Sequence, residues 1–497
     1  MSLKPSPEMK NTGKRNLRYI VIRLLAIAIG LSPFLFFEIG LHLSGWNETD
    51  EILDPYVGFS TVRPLFVRSD DSQEYKIAET RYPLFQPESF PAKKPDDSFR
   101  VFCLGGSTVQ GRPYSIETSF SRWLEINLRA ANPECDWEVV NCGGVSYASY
   151  RLVPILQEVL SYQPDLIILY TGHNEFLEDR TYESIKQRPA FVNATHERLS
   201  YFKSYRFLRS LFVDRDSVAA QASASRSTLP VDVEAELDFR GGLDFYRRDE
   251  AWRDDVISHF EFNLQQMAKL ARSADVPMML VNPVSNLSGT PPFKSEHGAE
   301  VPIDVRQQID ALGNPGASSF QSVEQEASRL KEWLALDPDY AALHFRLGQC
   351  QVAQNQLEAA HQSFVRAKEL DVCPLRILEP MHEIILRTSG WLDLPLVDVK
   401  AVFEQASEHG IPGDDLLVDH VHPSIGSHQM IAELLTARMQ ELGLLQITNQ
   451  DWAQQRQKDY LSQLESLDFM YFQRGEDRLR GLQRWARGEA QTKRPEE

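Results

Sequence analysis

Residues 101–111 read VFCLGGSTVQG. A short apolar strand runs into two glycines and then Ser107. This can be a loop that cradles phosphate, an ordinary turn, or the perch of a nucleophilic serine. A phosphate loop of the GxxxxGK[ST] type needs a lysine that reaches the phosphates, and GGSTVQGRP has none; the GxGxxG spacing of a dinucleotide loop is absent too. A serine directly after a buried strand presents its hydroxyl at the carboxyl edge of a sheet, where ligands bind in open parallel folds. Such a serine also needs a base, a group that orients the base, and donors for a developing oxyanion.

Outward from this stretch, strand and helix patterns alternate. RVFCLGG is followed by a helix from Glu117 with Phe120, Trp123, Leu124 and Leu128 on one stripe. WEVVNCGG is a second strand, and a helix from Ser149 follows, bent or started at Pro154. DLIILYTGHNE is a third strand whose continuous apolar run implies burial on both faces. A helix over 251–277 places Val256, Phe260, Leu264, Met267 and Leu270 at spacings of three and four, and PMMLVNPVS is a fourth strand. After Pro395 the α/β pattern returns. The expected architecture is a parallel sheet covered by helices on both faces.

The groups that Ser107 needs are supplied far along the chain. In DHVHPS, Asp419 and His422 lie three residues apart, so a carboxylate can hold one ring nitrogen while the other faces the serine. His420 lies between them as a rival base, and His428 reads as a helix surface residue. YTGHNE puts the Asn174 amide just past a strand end. NCGGVSYASYR offers backbone N–H groups in a glycine-rich turn, with Ser146 as the donor by its offset from Asn141 and Gly144 as the alternative. Arg151, Asn286, Lys294, His297 and Arg376 are candidates to line a substrate site. Cationic residues there point to an anionic or carboxylated substrate. The five cysteines, Cys103, Cys135, Cys142, Cys350 and Cys373, match no zinc spacing, and Cys103 reads as a reduced thiol inside a strand.

Taken in chain order, GGST, NCGGVS, TGHNE and DHVH resemble the four blocks of the SGNH/GDSL hydrolase superfamily. The resemblance covers roughly 99–182, 251–300 and 396–440. It implies a flavodoxin-like three-layer α/β/α fold and an ester-bond hydrolase that needs neither cofactor nor metal. Ser107 would be nucleophile and oxyanion donor, His422 the base, Asp419 its orienting carboxylate, and Ser146 and Asn174 further oxyanion donors. Three positions depart from the family pattern: Gly106 stands where an acidic residue is common, Glu175 where aspartate is common, and Ser146 where glycine is common. The GxSTVxG form, with a helical-repeat insert, is similar to membrane-anchored bacterial members.

The remaining chain sets the context. With 497 residues, 42% of them hydrophobic, a large core is possible, and a net charge of −18 argues against a general nucleic-acid partner. Lys4, Lys10, Lys14, Arg15, Arg18 and Arg23 precede the apolar run 24–46, which approaches the about 20 residues a membrane span needs. The basic flank places the N-terminus in the cytoplasm and the rest outside the bacterial inner membrane. Pro33 and Glu38 weaken the span without abolishing it. In 318–386, Leu347, Gly348, Ala360, Phe364 and Ala367 sit at the offsets of a tetratricopeptide repeat, with His344 and Gln351 in place of its aromatics. One such unit must pack on the main domain.

The expected order is a cytoplasmic N-terminus (1–23), a transmembrane anchor (24–46), an extracytoplasmic extension (47–98) and a first hydrolase part (99–300, with 183–250 an insertion or lid). A helical insertion (301–395), a last hydrolase part with DxxH (396–440), and C-terminal surface helices with a frayed tail (441–497) complete it. The functional expectation is an extracytoplasmic esterase or O-acyltransferase acting on an ester-bearing envelope glycan or lipid. A protein partner would sit on the helical insert. The rival is a non-catalytic envelope scaffold that uses the insert to bind its partner.

Overall fold

A computed structural model of the chain describes residues 62–71, 73–178, 227–230, 232–311 and 322–490, with single residues and short stretches elsewhere. The chain divides into two units, 1–58 with 181–228, and 59–180 with 229–497. In the first, residues 36–41 are helical, the Glu38 carboxylate accepts the Ser204 amide at 2.7 Å, and the Phe37 and Phe207 rings meet edge to face. Most of the anchor expected at 24–46, and most of 183–226, lies outside the described residues. Among the described residues no helix is long and apolar enough to cross a membrane.

The second unit begins with a small antiparallel sheet: β1 (Phe66–Arg68), β2 (Glu74–Ile77) and β3 (Ser89–Pro91). The extension expected over 47–98 thus contains a sheet. Its scattered aromatics are the packing face: the Phe66, Tyr75 and Phe90 rings cluster with Phe102 and Tyr162 at centroid distances of 4.5–6.5 Å.

The main sheet has five parallel strands: β4 (Ser98–Gly105), β5 (Asp136–Gly143), β6 (Leu166–Tyr170), β7 (Met278–Asn282) and β8 (Leu396–Asp398). Their spatial order is β5-β4-β6-β7-β8. Counted within this sheet alone, that is order 2-1-3-4-5, the doubly wound arrangement whose switch point lies between its first and third strands. The three-residue β8 lacks the apolar length that marks the other four.

Along β4, Val101 and Cys103 join one core with Trp123, Ile168, Val281, Ile431 and Leu435, while Phe102 and Leu104 point the other way. On the first face, α2 (Phe120–Ala131) packs against α11 (Ile425–Glu441) and α12 (Trp452–Glu465); on the other, α3 (Ser149–Val159), α4 (Glu250–Ser273) and α9 (Glu379–Leu392) pack together. α3 runs through Pro154 rather than starting there, and a 3₁₀ turn, Ile116–Thr118, precedes α2.

Between β7 and β8 lie α5 (Ile303–Asp310), α6 (Val323–Leu336), α7 (Ala341–Ala353), α8 (Leu357–Glu369) and α9, with no strand among the described residues. α7 and α8 form a hairpin, and a Cβ at Gly348 would stand 2.8 Å from the Phe364 ring. The C-terminal helices are not merely a surface layer. The Tyr460 hydroxyl donates to Asn127 at 2.6 Å, and the Tyr471 hydroxyl of α13 (Phe469–Ala486) bonds Thr118 at 2.8 Å and accepts the Ser115 amide.

Arg100 ties the two sheets together. Fully buried, it pairs with Glu138 at 2.5 Å and donates to the carbonyls of Tyr162 and Pro91. Removing one partner of such a pair leaves an uncompensated charge and orphaned acceptors. Arg100→Ala should therefore lower stability by about 3–5 kcal/mol, read as a drop in the denaturation midpoint. Arg480→Ala, in an exposed pair with Asp477, should change it by less than about 1 kcal/mol.

Candidate active site

Strand register aligns the groups. Gly105 pairs with Gly143 on one side and Tyr170 on the other, and Tyr170 pairs with Val281. The chains leaving β4, β5 and β6 thus start from one row at the carboxyl edge, on both sides of the switch point. A Cβ at Gly105 would lie 2.1 Å from the Tyr170 carbonyl oxygen, so only glycine fits between these strands. The following helix, α1 (Ser107–Gln110), is a single turn closed by Gly111.

Asn141 holds that turn. Its amide nitrogen donates to the Val109 carbonyl at 2.7 Å and to the Ser119 and Ser121 hydroxyls, while its oxygen accepts the Gly143 amide. In the sequence, Asn141 serves only to place Ser146 by its offset. A fully polar residue inside an otherwise apolar strand end was the available signal.

Ser107 and His422 meet here across 315 positions: the hydroxyl oxygen is 2.8 Å from Nε2. Nδ1 lies 2.7 Å from Asp419 Oδ2, which assigns the proton to Nδ1 and leaves Nε2 to accept from the serine. The other Asp419 oxygen accepts the Val421 and His422 amides. Burial alone would raise the Asp419 carboxyl. The His422 and His420 rings and these hydrogen bonds outweigh it and hold the group well below the usual carboxylate range. His422 is buried, while Ser107 keeps 9% of its surface.

The polar groups opposite are equally ordered. Of the turn after β5, the amides of Gly143, Gly144, Val145 and Tyr147 are bonded to Asn141, Gly105, Leu84 and Gly144 respectively. Gly144, the alternative donor, is therefore committed. Ser146 stands in the left-handed region at φ 62, half-buried, and its amide takes none of these acceptors. The Asn174 amide donates one hydrogen to the Tyr147 carbonyl at 3.0 Å, leaving a second free to point elsewhere. A Cβ at Gly106 would lie 2.5 Å from that amide nitrogen. Glycine at 106 thus leaves room for Asn174. Glu175, the other departure noted above, is fully buried and caps α3 through the Ser149 amide (2.7 Å) and hydroxyl (2.9 Å).

The other candidate residues have partners within the protein. Arg151 forms a buried pair with Glu178 at 2.5 Å. Asn286 bridges loops, donating to Asp414 and to the Asp419 carbonyl. Lys294 donates to the Leu243 and Tyr246 carbonyls, and Arg376 to those of Asn286 and Thr290. His297 lies between Asp337 and Asp310. Loop carbonyls and carboxylates engage each of these side chains within the protein. His428 is buried rather than on the surface, accepting the Phe120 amide through Nδ1. His420 packs edge-on against Phe293, with its ring nearly perpendicular to His422. His173, fully surrounded, accepts the Ile377 amide. Among the described residues no group of histidines, cysteines and acids could hold a metal.

No protein-family profile and no curated protein matches the chain. Three solved structures it is similar to are an alpha/beta hydrolase enzyme, LAE5, from the metagenome of Lake Arreo, Spain; the acetylxylan esterase Axe2 from Geobacillus stearothermophilus; and a G-D-S-L family protein from Desulfitobacterium hafniense DCB-2. Identities are 13%, 12% and 11% and TM-scores 0.32, 0.31 and 0.30. The matches cover 70%, 70% and 69% of this chain and 97%, 96% and 99% of those. Overlaps this loose carry no argument about this chain.

Burial pushes His420 down to about 4 and His428 to about 3, so both stay neutral in the fold at pH 5. The unfolded chain protonates them near the ordinary 6.5 and binds more protons below it, so stability falls with pH between about 6.5 and 4, by up to about 1.4 kcal/mol per unit for each histidine. His428→Gln should shrink the loss of melting temperature between pH 7 and 5. An equal loss in parent and variant would contradict this.

Proposed function

We propose that the chain is a serine hydrolase of the SGNH type acting on ester bonds, as an esterase or an O-acyltransferase. The observation that carries this reading is the Asp419–His422–Ser107 relay, with spacings of 2.7 and 2.8 Å. The Ser107 hydroxyl attacks the ester carbonyl carbon while its proton passes to His422 Nε2, and Asp419 stabilises the imidazolium that forms. The carbonyl oxygen becomes an oxyanion held by the N–H groups of Ser107 and Ser146 and by the Asn174 amide. As the C–O bond to the alcohol breaks, His422 returns the proton to the leaving oxygen. Water, or an acceptor hydroxyl in a transferase, then attacks the acyl-serine with His422 as base. The acyl group leaves on that oxygen and Ser107 regains its proton.

The basic N-terminus stays in the cytoplasm, and 24–46 anchors the protein in the bacterial inner membrane. The hydrolase acts on the outer side, on an acylated envelope glycan or lipid. The α7–α8 hairpin, with Leu347, Ala360, Phe364 and Ala367 buried at repeat offsets, supports a tetratricopeptide-like insert that receives a protein partner.

Turnover of 4-nitrophenyl acetate by the full chain in detergent tests the chemistry. Ser107→Ala and His422→Ala should lower kcat by about 10⁴–10⁶. Asp419→Asn should cost about 10⁴, and Asn174→Ala about 10²–10³ with little change in KM. Parent-like turnover by Ser107→Ala would sink the assignment.

A further inference from the structure

Four arginines are buried among the described residues, and three have an acid. Arg100 (1% exposed) pairs with Glu138, Arg151 (3%) with Glu178, and Arg376 (2%) lies 3.5 Å from Asp371; each also donates to two carbonyl oxygens. Arg81 (7%) differs. It donates Nη2 to the Tyr147 hydroxyl at 2.6 Å and lies against the Phe85 and Tyr147 rings. Its Nε–H is buried without an acceptor, and among the described residues no carboxylate is paired with it. Burying a guanidinium is costly unless a negative group faces it. An aromatic face and a phenol offset only part of that cost.

Arg81 is not enclosed. It lines a cleft of about 380 Å³, counting its open mouth, together with Phe59, Arg63, Tyr147, Arg151 and Glu158. Arg63 is exposed and likewise has no acid partner among the described residues. Both Glu158 oxygens are taken by backbone amides, of Leu65 at 2.6 Å and Phe66 at 2.8 Å. The charge of Arg151 is matched by Glu178. The Leu65 and Phe66 amides are neutral and leave the Glu158 charge in place, so Arg63 and Arg81 against Glu158 give the cleft one surplus positive charge in a protein whose net charge is −18. Its wall is Tyr147, whose carbonyl receives the Asn174 amide and whose chain neighbour is Ser146.

We propose that this cleft is an anion-binding subsite, in which Arg81 and Arg63 hold a carboxylate or phosphate group of the substrate while its ester lies at Ser107. The proposal rests on the ester-hydrolase reading for its substrate, but the anion site itself does not. The chemistry is that of guanidinium N–H donors meeting an oxyanion, stronger than neutral hydrogen bonds and strengthened by burial. Because Tyr147 connects the cleft to the Asn174 amide, a bound anion also fixes the side chain next to the oxyanion donors.

Glucuronate and inorganic phosphate, titrated separately into the full chain in detergent at fixed ionic strength with chloride as control, test it by calorimetry and by melting temperature. At least one should bind saturably and raise the melting temperature. Tighter glucuronate binding points to a carboxylated glycan, and tighter phosphate binding to a phosphorylated glycan or lipid headgroup. Arg81→Gln should abolish that binding and Arg63→Gln should weaken it by about tenfold or more. Should Arg81→Gln fail to fold, the exposed Arg63 still decides the outcome. Ser107→Ala should bind as the parent does. Binding of neither anion, or binding unchanged in Arg63→Gln and Arg81→Gln, overturns the subsite. Anion binding without ester turnover would overturn the hydrolase reading and leave the subsite standing.

Discussion

Everything in this site depends on parallel register. The pairing of Gly105 with both Gly143 and Tyr170 makes three strands end in one row. No side chain can stand between the first strand and the third, because the Tyr170 carbonyl would be 2.1 Å from its Cβ. From that row the chain delivers a serine, a turn with one uncommitted amide, and an asparagine amide to one edge. The late loop carrying Asp419 and His422 then closes onto it. A slip of one residue would turn each strand end to the opposite face.

Several polar groups around Ser107 are fixed in place by the fold itself. Asn141 holds the α1 turn, Glu175 caps the helix leaving the second turn, and the Tyr147 carbonyl orients Asn174. Preorganisation of this kind lets donors face a developing charge without rearranging when it forms. The same economy explains why His173, His420 and His428 surround the site yet stay neutral. Burial disfavours their charged forms, and each packs or accepts a backbone amide. His422 alone lies between a carboxylate and a hydroxyl.

Much of this was legible from residue order. Continuous apolar runs named four of the five strands, and DxxH with a late position named the partners whose geometry the structure supplies. What stayed hidden has physical causes. The three-residue β8 is too short to show a period. The antiparallel sheet before β4 is built on aromatics spread across polar sequence, so Phe66 and Phe90 gave no alternation to read. The partners of Arg151, Lys294 and Arg376, which are Glu178 and loop carbonyls, lie in segments that only the tertiary fold brings near. Arg81, whose charge meets no acid among the described residues, sits in a stretch without any motif. Its distinction exists only by comparison with the other buried arginines.

The central claim is that Ser107 is the nucleophile activated by His422. Peptide mapping by mass spectrometry, after the full chain is treated with a fluorophosphonate, tests it most directly. The account predicts one phosphonylated residue, Ser107, with the adduct lost in His422→Ala as well as in Ser107→Ala. An adduct on another residue, or undiminished labelling without His422, would contradict it.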